Sequence, residues 1–201
     1  NGDSFLADRL LAEWLRMLAK NQRWDLYMSE YPALITKDSD LVCYALQARL
    51  ALGESAALAE AKPYWFNAEE QPASCLPLSD ALATNGLLTV EDVWARLRLT
   101  LEAGNVSVAK HVARYFPGQQ EIPLREMERA EENPLAFLDK LPVSLSTRAG
   151  RELTLFALSR AARSQPQQAL PYWNTLHARF SAEEQAYGWG QLAFHAARKH
   201  D

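Results

Sequence analysis

Cys43 and Cys75 are the only thiols in the chain and lie 32 positions apart. A sulfur pair can hold a metal, supply a nucleophile or close a disulfide. No CxxC spacing and no neighbouring histidine accompanies either one, so a metal set has no support. Two readings stay open from the residues alone. Both are buried free thiols of a cytosolic protein, or they form a bridge between neighbouring helices in an oxidising compartment. Closing a loop of that size would stabilise the fold by roughly 3–4 kcal/mol through chain entropy.

The other reactive side chains are dispersed. The four histidines are His111, His177, His195 and His200. His195 and His200 are five apart, which misses the i, i+4 spacing of a helical metal site. Paired acids occur at Glu69-Glu70, Glu131-Glu132 and Glu183-Glu184. Neighbours on a helix point in different directions, so none of these is a converging carboxylate pair. Solvated loop or cap positions are expected for them. The six tryptophans (Trp14, Trp24, Trp65, Trp94, Trp173 and Trp189) would stack on sugars if exposed, but their helical spacing favours the core. No GxSxG elbow, P-loop or GxGxxG turn is present. The residues therefore show no catalytic group, no metal site and no cofactor site.

The elements that would position these groups are helices. The 201 residues include 32 Ala and 31 Leu against 7 Val and 2 Ile. Ala and Leu favour helix, whereas β-branched residues favour strands. Apolar residues recur every three or four positions, as in Ala7, Leu10, Leu11, Trp14 and Leu18. Short segments follow around Trp24–Tyr31, Asp40–Leu52, Glu54–Trp65 and through Cys75, Leu78 and Leu82 to Asn85. Thr89-Val90-Glu91-Asp92 and Ser181-Ala182-Glu183-Glu184 read as capping boxes that open two further helices. A helix over Val106–Phe116 should stop at Pro117-Gly118. Others should begin at Pro123, Asn133-Pro134 and about Ser146, and another between Pro166 and Pro171. Gly188 and Gly190 flank Trp189 in the last helix and would permit close helix packing there.

After Gly150, Leu153, Phe156 and Ala157 form one apolar side, and Leu155, Leu158 and Ala162 another. A helix that is apolar on two sides needs neighbours on both, as in stacked helix pairs. No 34-residue tetratricopeptide signature appears. The expectation is an all-α chain forming an irregular α-superhelix, with residues 1–201 as one segment of a longer parent chain.

Composition narrows the partners. Lys plus Arg number 21 against 25 acids, for a net charge of −4, and the two signs are interleaved. That argues against nucleic acid, whose binders carry a basic excess. Arg198 and Lys199 form a helix-end pair and not a patch. No apolar run approaches the ~20 residues needed to span a membrane.

The stretch from Leu41 to Ala109 resembles the soluble lytic transglycosylases of Gram-negative bacteria. The likeness rests on Cys43-Tyr44-Ala45 with Cys75 following Gln71-Pro72, and on the passage VWARLRLTLEAGNVSVAK. The phrases NQRWDLYMSE and AEEQAYGWGQLAFHAARKHD are similar to helices of the same domain. The resemblance implies a periplasmic location, a Cys43–Cys75 disulfide and a place in the N-terminal superhelical U-domain. It implies a parent that cuts peptidoglycan glycan strands to 1,6-anhydromuramoyl ends. The family's catalytic motifs (Glu-Ser, the Gly-Leu-Met-Gln run and Asn-Ala-Gly) are missing here, so no residue of this chain inherits a catalytic role. Three roles remain: a rigid scaffold of that enzyme, with periplasmic cell-wall proteins as further partners; a helical-repeat docking adaptor without enzymatic role; or a cytosolic helical-repeat adaptor unrelated to murein.

Overall fold

A computed structural model describes residues 2–117 and 122–199. Among them are twelve α-helices, four short 3-10 turns and no strand. The all-α expectation holds, and it holds for a physical reason. An Ala- and Leu-rich chain satisfies its backbone within each helix and buries side chains by stacking helices. The chain divides into two compact units, Asn1–Arg96 and Leu97–Asp201.

The first unit contains α1 (Gly2–Lys20), α2 (Trp24–Glu30), α3 (Ser39–Ala51), α4 (Ala56–Ala61) and α5 (Leu76–Thr84). The first part of α6 (Val90–Ala103) closes it. Its centre is α3, which is apolar on two faces. Leu41, Ala45 and Ala48 meet Leu15, Leu18 and Tyr27 from α1 and α2. Cys43 and Leu46 meet Ala57, Leu58, Ala61, Leu78 and Leu82 from α4 and α5. Buried Tyr27 donates its hydroxyl to the Leu41 carbonyl at 2.7 Å, so the ring fills the core without an unpaired polar tip.

The second unit holds the rest of α6 with α7 (Val106–Ala113), α8 (Leu124–Glu132), α9 (Pro134–Lys140), α10 (Arg148–Ser164), α11 (Pro166–Leu176) and α12 (Ala182–Lys199). Helix α10 is its axis and packs against α8, α9, α11 and α12. Eleven of its seventeen residues are buried, on both of the sides read from the sequence.

Local chemistry sets the helix boundaries. Thr89 Oγ1 accepts from the Asp92 amide at 3.1 Å, and Asp92 accepts from the Thr89 amide at 2.8 Å. Ser181 and Glu184 repeat the exchange at 3.3 and 2.8 Å. Both expected capping boxes are therefore formed. Helices α3 and α6 end in Schellman turns at Gly53 (φ +94°) and Gly104 (φ +83°). In these turns Glu54 and Asn105 donate back to Arg49 and Thr100. The expected stop at Pro117-Gly118 lies partly, and His200 wholly, outside the described residues.

Four boundaries differ from expectation. Cys75 ends a 3-10 turn (Ala73–Cys75) and precedes α5, because Pro77 suits the first turn of that helix. The Glu54–Trp65 segment is α4 followed by a 3-10 turn (Lys62–Trp65) that tightens at Pro63. Helix α7 ends at Ala113, and the chain reaches Phe116 through a turn. Helix α11 begins at Pro166 and runs through Pro171, where the carbonyl freed by proline belongs to exposed Gln167.

Candidate functional site

Cys43 and Cys75 are bonded to each other, with Cα atoms 5.1 Å apart, and both are buried. The bridge ties α3 to the turn before α5. Gln47 reinforces the junction by donating to the Ser74 carbonyl at 2.5 Å. Oxidised and buried, neither sulfur can act as a nucleophile in this state. The pair is a staple.

The paired acids do not converge. Glu69 and Glu70 lie exposed in the loop after the Lys62–Trp65 turn, and Glu131 and Glu132 end α8. Glu184 belongs to the α12 cap and also accepts from Arg151 at 2.8 Å. Burial pushes its carboxyl up, but the bonds from Arg151 and Ser181 outweigh burial and hold it below the ordinary carboxylate range. Among the described residues no group of three or more His, Cys, Asp or Glu is placed to hold a metal ion.

Glu152 is the buried acid that the sequence reading did not single out. Arg98, 54 residues away in the chain, grips it with two bonds of 2.7 and 3.0 Å. Arg98 also lies over the Tyr187 ring at 5.2 Å. The space beside the pair is only about 10 Å³, too small for a substrate. A buried carboxylate gripped at both oxygens holds α6 to α10; it is not free to move a proton to a ligand.

The tryptophans divide. Trp65, Trp94 and Trp173 are buried, Trp24 is half-buried, and Trp14 and Trp189 are each 37% exposed. Trp189 is held edge-on by Trp173, with ring centres 6.2 Å apart. Gly188 lies directly against the Trp173 indole, as the expectation of close packing requires. On α1, Leu6, Leu10, Trp14 and Met17 form an exposed apolar stripe.

Surface concavities of ligand size line one side of the second unit. Leu170 of α11 with Trp189, Leu192 and Ala196 of α12 border an apolar groove of about 260 Å³. It shares Pro166 and Gln167 with a concavity of about 280 Å³ lined by glutamine amides and Lys199. Lys199 in turn borders a third, of about 540 Å³, with Arg163, Phe194, His195 and Arg198. Shared residues make these one continuous band.

Its far end is cationic. Arg163 donates to the Glu102 carbonyl and Lys199 to the Ser164 carbonyl, which caps two helix ends. Arg198 lies over the Phe194 ring at 5.5 Å. Among the described residues no carboxylate pairs with these three cations. Half-buried His195 responds to its surroundings. Burial lowers its pKa, and the charges of Arg163 and Arg198 lower it further. The sequence reading treated Arg198 and Lys199 as a helix-end pair. Arg163, 35 residues upstream, joins them only through the packing of α10 against α12. The one local sign of it is a pair of arginines, Arg160 and Arg163, in the last turns of α10.

No protein-family model matches the chain, and no curated protein matches it. Solved structures do. An inactive mutant of the lytic transglycosylase Slt from Pseudomonas aeruginosa is 28% identical, with a TM-score of 0.74 over 97% of this chain and 32% of its own. The 70-kDa soluble lytic transglycosylase from Escherichia coli is 20% identical, with a TM-score of 0.73 over 94% and 31%. A complex of the 70-kDa soluble lytic transglycosylase with bulgecin A gives 19% and 0.74 over the same shares. The resemblance read from the cysteine spacing and the Ala-Gly-Asn turn thus extends to three dimensions along nearly the whole chain. The chain spans about a third of the length of the structures it matches.

Proposed function

We propose that this chain is a superhelical scaffold segment of a soluble murein lytic transglycosylase that works in the periplasm. The observation that carries the reading is the match over 97% of this chain to a lytic transglycosylase three times longer. The parent would cleave the MurNAc–GlcNAc bond without water and leave a 1,6-anhydromuramoyl end. Its catalytic glutamate would lie in a lysozyme-like domain outside these 201 residues, which here form one segment of the superhelix.

The chain's own residues support the scaffold role. Its buried carboxylates are held in structural pairs, Arg98–Glu152 and Arg151–Glu184, and buried Arg96 donates to the Gln71 side chain. Helix α3 in the first unit and α10 in the second are each packed on two faces, which makes each unit stiff by itself, as a scaffold requires. A buried disulfide suits an oxidising compartment. No described helix is long and apolar enough to cross a membrane.

The test is a zymogram on murein-loaded gels, with this chain beside its full-length parent. The parent should clear the gel and yield anhydro-ended muropeptides by mass spectrometry. The chain alone should leave the gel intact. Lysis by the chain alone, or hydrolytic products from the parent, would overturn the assignment.

A further inference from the structure

We propose that Asn85-Gly86, which closes α5, is a self-modifying site. Opening of the last helical turn lets the Gly86 nitrogen attack the Asn85 side chain and convert it to isoaspartate, which then holds the turn open. The juxtaposition is an exposed asparagine amide directly before a glycine nitrogen, both restrained only by the hydrogen bonds of one turn.

The turn itself selects the pair. Gly86 adopts φ +67°, in the left-handed region that favours glycine, and a Cβ there would meet nothing within 4 Å. Leu87 donates back to the Leu82 carbonyl at 2.9 Å and Gly86 to the Ala83 carbonyl at 3.1 Å, the two bonds of a Schellman turn. The Asn85 side chain donates to the Ala81 carbonyl at 2.8 Å. Each residue is what this helix end requires, and side by side they are reactive, because glycine has no side chain to shield its nitrogen. The other Asn-Gly pair, Asn1-Gly2, begins the sequence, and its Asn1 lies outside the described residues.

The chemistry needs only water. The Gly86 nitrogen bonds to Asn85 Cγ while the Cγ–Nδ2 bond breaks. The Gly86 amide proton passes through solvent to the departing nitrogen, which leaves as ammonia. Water then opens the cyclic imide. Breaking the new Cγ–N bond gives aspartate, and breaking the bond from nitrogen to the backbone carbonyl carbon gives isoaspartate, whose main chain is one carbon longer. In the closed turn both reacting groups are occupied, so the reaction waits for the turn to fray. The extra carbon takes Gly86 and Leu87 out of register with Ala83 and Leu82. A carboxylate also replaces the donor to Ala81, at the negative end of the helix dipole. The damage reaches the interior, because Leu78 and Leu82 of α5 share a core with Cys43, Leu46 and Ala57.

The experiment incubates the chain in mildly alkaline buffer, with and without guanidinium chloride. Proteolytic peptides are mapped by mass spectrometry with fragmentation that separates isoaspartate from aspartate. Position 85 should convert in both samples, with isoaspartate among the products. It should convert about tenfold or more slowly in the folded chain, where the bonds of the turn must open first. In guanidinium, G86A should convert more slowly than the native sequence. The isoaspartate form, isolated by ion exchange through its added charge, should melt about 2–4 °C or more below the unmodified chain. It should also melt below N85D, which adds the charge but keeps the backbone. The proposal is overturned if folded and unfolded chains convert equally fast, or if the folded chain keeps Asn85 intact long after the unfolded sample is complete. It is equally overturned if aspartate is the sole product, if G86A reacts as fast as the native sequence, or if the isoaspartate form melts no lower than N85D.

Discussion

Replacing Gly188 by alanine adds one carbon at a place where there is no room for it. The new Cβ would lie 2.3, 2.6 and 2.8 Å from three atoms of the Trp173 indole. Ordinary contacts are 3.4–4 Å, so one partner must move by about an ångström. The indole cannot do so freely. It is fully buried, and Phe180 and Trp189 lie against it with ring centres 5.0 and 6.2 Å away. Overpacking of this kind costs about 1–3 kcal/mol. Against it stands a gain of about 1 kcal/mol from exchanging glycine for alanine inside a helix. The net effect of G188A is a loss of up to about 2 kcal/mol. Gly190, two residues along the same helix, has nothing within 4 Å of its would-be Cβ. There only the gain operates, so G190A should stabilise by about 1 kcal/mol. Urea unfolding followed by tryptophan fluorescence measures both, and near-UV circular dichroism reports the Trp173 environment. For a chain of this size each kcal/mol moves the melting temperature by about 2–4 °C. A G188A protein as stable as G190A would refute the close approach of α12 to Trp173.

Other perturbations follow from the same packing. Reducing the Cys43–Cys75 bridge, or changing both to serine, should remove about 3–4 kcal/mol in a denaturant series run with and without reductant. E152Q leaves the half-buried Arg98 guanidinium without its anion and should cost about 1–3 kcal/mol. In the double variant R98M/E152L, which removes both charges, the same unfolding assay should recover most of that loss. His195 should titrate below its ordinary 6.5 by NMR, and less far below in R163Q. Because its folded pKa is depressed, its contribution to stability is complete above about pH 6.5. That contribution is lost as the pH falls through the lower folded value.

Helix content and most helix ends were legible without coordinates, because each depends on groups within four or five residues. Thr89 reaches Asp92, Ser181 reaches Glu184, and Gly53 closes α3 wherever the rest of the chain lies. The two-sided apolar pattern of α10 was legible for the same reason, since 3.6-residue periodicity is local. The Pro171 position was misread because a proline rule carries no information on whether the freed carbonyl meets water.

The chain order alone leaves undetermined which faces meet, and those meetings are where the chemistry lies. Arg98 and Glu152 are 54 residues apart and become a bonded pair only when α6 lies on α10. Trp173 is core and Trp189 is exposed although both occupy apolar helix positions. Arg163 is an ordinary helix-end residue until α12 brings Arg198 and Lys199 beside it. Helices form from short-range hydrogen bonds and propensity, so sequence determines them. A buried ion pair or a cationic concavity depends on side chains from separate helices approaching within a few ångströms, and only the packing of whole helices decides that.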